Sequence, residues 1–397
     1  MVDQPSEKRF PIAVTDLVAK EKKSSEWSKD VSKMIRKDLR LSNLFDIIDP
    51  EDFPKDRGIP DMDPRVTPFA PWKLIGAQAL VTGSYAKTGK GPVQVKMYLY
   101  DTLLGNQLLS RSYDADPKDV SIVAHHFVDQ VLKEMTGEDW PFQTKIAYIQ
   151  VERRRKEVGV MDMDGENNGN LTRDRTINLS PAWSPDGASI AYTSYTKDGS
   201  PEISMIGSGG GVSRRITTNG TLNISPTFSP NGTLTIASAI EGDTEIYLLD
   251  LNGKPLQRLT HNFGIDVNPS WSPDGSSFVF SSERAGRLHL FRSDASGNNI
   301  QRLTFVGTQN DNPVWSPKGD KIAFQSLSGG WAIFIMNPDG SLIQRLAAGE
   351  GPTWAPNGRF IAFSNGDQVQ IMREDGANPT AIGPKGSKQP DWGPWKR

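Results

Sequence analysis

The side chains able to do chemistry in this 397-residue chain are four His, 47 Asp or Glu and 45 Lys or Arg; there is no Cys. Absence of Cys removes disulfides, thiolate metal sites and cysteine nucleophiles together. His125 and His126 are adjacent in a segment of helical pattern. Neighbouring helical side chains diverge by about 100°, so the pair cannot ligate one metal from one face. His289 alternates with Leu288 and Leu290 as in a strand and reads as structural. Convergent Asp and Asn residues could hold a hard cation such as Ca²⁺, which takes oxygen ligands. No Asp-x-Asp-x-Asp-Gly loop is present, so these groups read as solvated turn residues, and no metal or cofactor is expected. The run Arg153-Arg-Arg-Lys156 suits a polyanion or a lipid headgroup, yet four cations beside Glu152 and Glu157 also read as a solvated hairpin tip.

The formal charge of −2 argues against whole-molecule attraction to nucleic acid or an anionic membrane. At ~100–200 residues per domain the length predicts two or three domains, or a small one beside a large all-β one. No run approaches the ~18 apolar residues of a membrane span, and the polar start MVDQPSEKRF has no signal-peptide core. Two compartments fit: the cytosol, or an exported compartment reached before a signal peptide was removed. Absence of a free thiol suits the oxidising one.

The elements that must position these groups are set by a repeat. Pro-x-Trp-Ser-Pro-x-Gly recurs at Pro181–Gly187, Pro226–Gly232 (with Phe228 for Trp), Pro269–Gly275, Pro313–Gly319 and Pro352–Gly358, and is cut short at Pro390–Pro394. The aromatic residues are 45, 43, 44, 39 and 38 apart. Three β-type runs fill each interval, for example Ser276–Ser281, Leu288–Ser293 and Ile300–Thr304, which is the content of a four-stranded propeller blade. The Trp strand is expected innermost, its indole packed on the next blade. Residues 145–172 hold three strands with no Trp motif before them, and Pro390-Asp-Trp392 is a motif with nothing after it. Joining the two ends removes open sheet edges and gives six blades.

Residues 1–140 read as a compact α+β domain, followed by an all-β six-bladed β-propeller over 141–397. The expected elements of the first are strands at Phe10–Val14 and Leu44–Ile48, an amphipathic helix from Ser25 to Arg40, strands at Ala79–Tyr85, Val93–Tyr100 and Gln107–Tyr113, and a helix from about Pro117 to Met135. A Pro-rich loop is expected over Pro50–Pro71, and Trp140-Pro141 as a hinge.

The phrases Phe10-Pro-Ile-Ala-Val14, Ser42-Asn-Leu-Phe45, Trp72 with Gly76-Ala77 and Thr82-Gly83, Ala124-His125, Leu132–Gly137 and Thr144-Lys-Ile-Ala-Tyr148, in this order before the repeats, resemble the TolB family of the Tol–Pal cell-envelope system. The repeats themselves specify a fold only, and the chain departs from the family at the loop Asp52–Pro68, at Phe228 and in its last motifs. The resemblance implies a non-enzymatic periplasmic adaptor, with its signal peptide removed, supporting outer-membrane integrity and constriction during cell division. Its implied partners are the lipoprotein Pal at the channel mouth and the TolA C-terminal domain on the segment before the first strand, here Val2, Asp3, Gln4, Pro5, Ser6 and Glu7. Colicins borrowing the Pal site, and outer-membrane lipoproteins, are further implied ligands, and the chain is expected to be a monomer. A disordered tail accounts for Val2–Arg9 equally.

In a propeller the loop from each outer strand to the next inner strand ends at the channel mouth. Here those loops are polar, and amides and carboxylates around a concave mouth can satisfy an inserted peptide. The candidate Pal-binding residues are His261, Asp266, Asn268, Thr304, Asn310, Asp311 and Asn223; side-chain turns onto their own backbone are the alternative for each. A prolyl-peptidase propeller would need a second domain with a Gly-x-Ser-x-Gly elbow. Motif strands such as Pro269-Ser-Trp carry few groups for metal-dependent hydrolysis. No catalysis is expected; the other readings are a cytosolic interaction scaffold and a metal-dependent propeller hydrolase.

Overall fold

The computed structural model describes residues 9–20, 26–54, 69–87, 91–116, 118–217 and 220–395. The chain divides into two compact units, Met1–Gln143 and Thr144–Arg397. In the second, turn chemistry and alternating side chains give six four-stranded sheets. Blade one takes Lys145–Glu152, Arg155–Asp162 and Gly169–Asn170 from the start of the unit and its inner strand, Ser387–Trp392, from the end. Blades two to six begin with the inner strands Asn178–Trp183, Asn223–Phe228, Asp266–Trp271, Gln309–Trp315 and Glu350–Trp354. The last strand pairs Ser387 with Gln150 and Trp392 with Ile146, so the ring is closed by its two ends as the truncated motif predicts.

The motif turn uses up its own polar atoms. Ser184 Oγ donates to Asp186 at 2.5 Å, Ala188 N–H donates to the same carboxylate, and Gly187 takes a φ of 68°. Ser272 and Asp274 repeat this, and hydrogen bonds from the Ser272 hydroxyl and the Ser276 N–H hold the Asp274 carboxyl down to about 2. Glycine is demanded again at the hairpin before each outer strand: a Cβ at Gly253 or Gly297 would collide with the Ile216 or Leu259 carbonyl of the preceding blade.

Blade-to-blade packing corrects one expectation. The motif aromatics bury against the preceding blade, not the next. Trp183 packs with Ala147, Ile149 and Val158, and Trp315 with Val279, Leu290 and Leu303. Trp271 Nε1 donates to Thr235 Oγ1 at 2.9 Å and Trp354 Nε1 to the Val314 carbonyl at 3.1 Å, each partner one blade back. Every inner strand carries a register shift at its residue-Pro step. Such a bulge resets side-chain alternation, so an unbroken strand reading puts the ring on the wrong face.

The first unit holds one six-stranded sheet in the order Phe45–Ile47, Phe10–Val14, Ala79–Lys87, Val93–Asp101, Asn106–Ala115, with Val18–Ala19 added beside Ala79–Lys87. Phe10–Val14 is parallel to both neighbours and the last three strands form an antiparallel meander. Helices Glu26–Ser42 and Val120–Thr136 pack on one another. Between them lies a buried pair, His125 Nδ1 with Asp38 Oδ2 at 2.7 Å, so His125 is a packed helix residue. Gly83 is fixed by close approach: a Cβ there would strike the Lys96 carbonyl and Leu17. Ala70–Leu74 is a short helix that begins at the end of the expected Pro-rich loop and runs past it; it buries Trp72 against Phe53, a tertiary contact with no periodic signal.

Candidate functional site

The six residue-Pro steps converge on an axial cavity of about 160 Å³. The residue directly before each Pro has a left-handed backbone: Ser180, Ser225, Asn268, Asn312, Gly351 and Gln389, with φ between 47° and 60°. Five of these are not glycine, a costly conformation for an L-residue, and its repetition in five of the six blades is the strained feature of the ring. All six line the cavity. Their side chains are linked from blade to blade. Ser225 Oγ donates to Asn268 Oδ1 at 2.6 Å, Asn268 Nδ2 donates to Asp311 Oδ1 at 2.8 Å, and Asn312 N–H donates to the same oxygen at 2.8 Å. On the other side Gln389 Oε1 accepts from Ser180 N–H at 3.0 Å.

Two residues further along each inner strand stand Ala182, Thr227, Ser270, Val314, Thr353 and Asp391, all but Thr353 lining the cavity. Three of these staple neighbouring inner strands: Ser270 Oγ accepts from Trp315 N–H, Thr353 Oγ1 from Trp392 N–H, and Asp391 Oδ2 from Trp183 N–H at 2.7 Å. Burial pushes the Asp391 carboxyl up to about 7 against the Trp183 and Thr353 hydrogen bonds. Among the described residues lining this cavity Asp391 is the one carboxylate. A lone acid provides neither an acid–base pair nor a multidentate oxygen site, whereas the belt of amides and hydroxyls can bind peptide groups.

The expected site residues divide sharply. Asn268 lines the cavity and Asp311 holds its amide, so these two are brought together. His261 is exposed on the 259–265 crossing, outside the cavity lining. Asn223, Asp266, Thr304 and Asn310 are at most 1% exposed, which corrects their placement at the mouth. Asn223 Oδ1 accepts from Ser238, and Asn310 Nδ2 donates to the Val306 carbonyl. Asp266 pairs with Arg284 at 2.7 Å; burial lifts its carboxyl to about 6 in spite of the Ser282 hydrogen bond and that guanidinium. Thr304 Oγ1 accepts from Leu290 N–H at 2.9 Å and lies against His289, whose imidazole is pushed down by burial and then by Arg302. For Asn223, Asp266 and Asn310 the reason is positional: three residues before the motif Pro the strand points into its blade, and one before it the bulge turns the side chain to the axis; Thr304, just past the outer strand, instead turns inward onto the third strand of its own blade. Ser180, Ser225, Asn312, Gln389 and Asp391 were missed, and extending the repeated phrase one residue leftward marks the first four. The segment Val2–Glu7 lies outside the described residues.

A closed six-bladed propeller with a polar, carboxylate-poor axial channel, on a chain that also carries an α+β unit, places this chain among the two-unit β-propeller proteins by its fold. The sequence model of the TolB beta propeller domain matches residues 132–396, and that of the TolB amino-terminal domain matches residues 1–108. The chain belongs to the TolB family. The Tol-Pal system protein TolB of Paramagnetospirillum magneticum is 35% identical over 203 residues, which is 50% of this chain and 44% of that relative. The chain thus aligns with less than half the length of this curated relative. The crystal structure of TolB from Acinetobacter baumannii superposes with a TM-score of 0.82 at 26% identity, covering 98% of this chain and 97% of that one. A putative TolB from Agrobacterium tumefaciens, 24% identical over 63% of this chain and 92% of its own, shares the fold at a TM-score of 0.50.

Proposed function

We propose that the chain is a non-enzymatic periplasmic adaptor of the Tol–Pal cell-envelope system, binding Pal at the channel mouth and TolA through the segment before Phe10. The observation that carries this reading is the ring of left-handed residues around the axis, present in all six blades and in five of them built from polar non-glycine residues at a cost in backbone strain. Such a ring presents fixed donors and acceptors to an inserted loop and no constellation for bond-making chemistry. Asn268 and Asp311 are the proposed Pal contacts at its centre, with His261 at the rim. Family membership and the relatives' names support the system; the partners are the inference. Titrating Pal of the same organism into the full chain tests it: replacing Asn268 and Asp311 together by Ala is expected to weaken binding at least tenfold. Undiminished affinity refutes the site. Deleting Val2–Arg9 is expected to abolish TolA binding while leaving Pal binding intact.

A further inference from the structure

We propose that the basic edge of blade one docks an acidic polypeptide segment of the protein seated at the channel mouth; this rests on the mouth reading above and names the chemistry of its partner. The hairpin joining Lys145–Glu152 to Arg155–Asp162 exposes Arg153, Arg154 and Arg155, with Lys156 half-buried behind them. On its inner side Val151 N–H donates to the Gly386 carbonyl and Gln150 Nε2 to the Lys385 carbonyl, both at 2.8 Å, while Lys388 pairs with Ile149. Lys385 and Lys388 therefore flank the hairpin. On its outer side Lys156 N–H donates to the Thr176 carbonyl and Arg175 N–H to Glu157, which brings up Arg173 and Arg175.

None of these eight cations forms an ion pair among the described residues. The carboxylates of the same segments are outnumbered and bonded to neutral groups: Glu157 is buried on Thr172 Oγ1 and Asp174 accepts from Thr176 and Asn178, so with Glu152 three acids face eight cations. Glu152 is the one exposed acid at the hairpin itself. At the same end of blades two to four Arg215 is paired with Glu202, Arg258 with Glu241 and Glu245, and Arg284 with Asp266, which leaves Arg287 as a single exposed guanidinium at the corresponding hairpin of blade four. In a chain of net charge −2 this edge is a local reversal of sign.

Its shape selects the occupant. The cations are strung across four neighbouring segments, roughly 15 Å at ~4.8 Å per strand, instead of converging on one point. That spacing matches several carboxylates along an extended chain, and Arg suits bidentate carboxylate pairing. The edge is continuous with the mouth through a cavity of about 420 Å³ lined by Lys156 and Lys388 together with Asn312 and Gln389 of the axial ring. A partner seated on the ring meets this edge without rearrangement, and opposite charge there would act chiefly on the rate of encounter.

The test compares Pal association kinetics of the full chain at several salt concentrations with those of Arg153→Asn/Arg154→Ser/Arg155→Ser and, separately, Lys385→Gln/Lys388→Gln. Both variants alter exposed side chains only. Each is expected to slow association about tenfold at low salt and to flatten its salt dependence, with a smaller change in dissociation. The Asn268/Asp311 variant should weaken binding with the salt slope retained. An unchanged slope in both charge variants overturns the docking edge while leaving the mouth reading standing; no Pal binding by the unaltered chain overturns both. Charge-dependent capture of phosphatidylglycerol vesicles, with Pal kinetics unaffected, assigns the edge to a lipid surface and also overturns the proposal.

Discussion

At Asp391 one side chain serves two purposes, lining the axial cavity and capping Trp183 N–H of the neighbouring inner strand. Because burial raises its carboxyl to about 7, the folded state binds the proton more tightly than the unfolded chain does. The sign follows: this group lowers stability as pH rises from about 4 through 7, the reverse of a salt-bridged carboxylate. Asp391→Asn keeps an acceptor for Trp183, so the propeller's melting temperature should exceed that of the unaltered chain by a clearly larger margin at pH 8 than at pH 5. An equal difference at both pH values would show that the carboxyl does not titrate in this window. Of the residues chosen from sequence, Asn268 was legible as axial because it sits next to the repeated Pro; Asp311, two residues before its Pro, joins it because its carboxylate holds the Asn268 amide. The buried ones were chosen because polar residues in crossing loops look alike until their side-chain direction is known.

At the scale of the element, the outer strands share a latch. Thr172, Thr217, Thr260 and Thr304 each accept, at 2.9 Å, the N–H of a residue in the third strand of their own blade: Val158, Ile203, Ile246 and Leu290. In blades one and three a buried Glu accepts the same Thr hydroxyl, from Thr172 to Glu157 and from Thr260 to Glu245, and in blade four His289 takes that place beside Thr304. A lone His in a strand is thereby explained by packing. Thr304→Val preserves shape and orphans a buried N–H, so it should cost about 1–3 kcal/mol by chemical denaturation while leaving Pal affinity unchanged. Loss of Pal binding without loss of stability would return Thr304 to the contact surface. The strand runs were legible from β-rich residues between turn signals; Ala70–Leu74 was not, since its five residues hold one Trp against Phe53 and carry no helical period.

At the scale of the whole molecule, the two ends of the propeller region share one sheet. Truncation after Lys388 removes Trp392, whose indole donates to Thr144 at 2.8 Å and stacks on Phe360 of blade six, and with it the Asp391 cap. The Lys145–Glu152 strand would then lose most of its inner partner. The expected outcome is a lower melting temperature with an exposed strand edge prone to self-association, measurable by calorimetry and sedimentation. A melting temperature equal to that of the full chain would mean that the ring is held closed by other contacts.

By itself the sequence determined the number of blades, the turn type at each motif, the innermost place of the Trp strand and the joining of the two ends. All of these follow from local preferences repeated six times, and repetition makes a weak local signal strong. Tertiary structure alone decided which face of each inner strand meets the axis and which blade receives the indole. Both depend on a one-residue bulge at the residue-Pro step, and with a side-chain period of two a single inserted residue exchanges inside for outside. The same cause separates Asn268, at the channel, from Asp266, buried two residues away. It also took folding to bring Lys388 to the hairpin at Arg153, opposite Arg175, because its nearness comes from strand pairing across more than two hundred residues of chain.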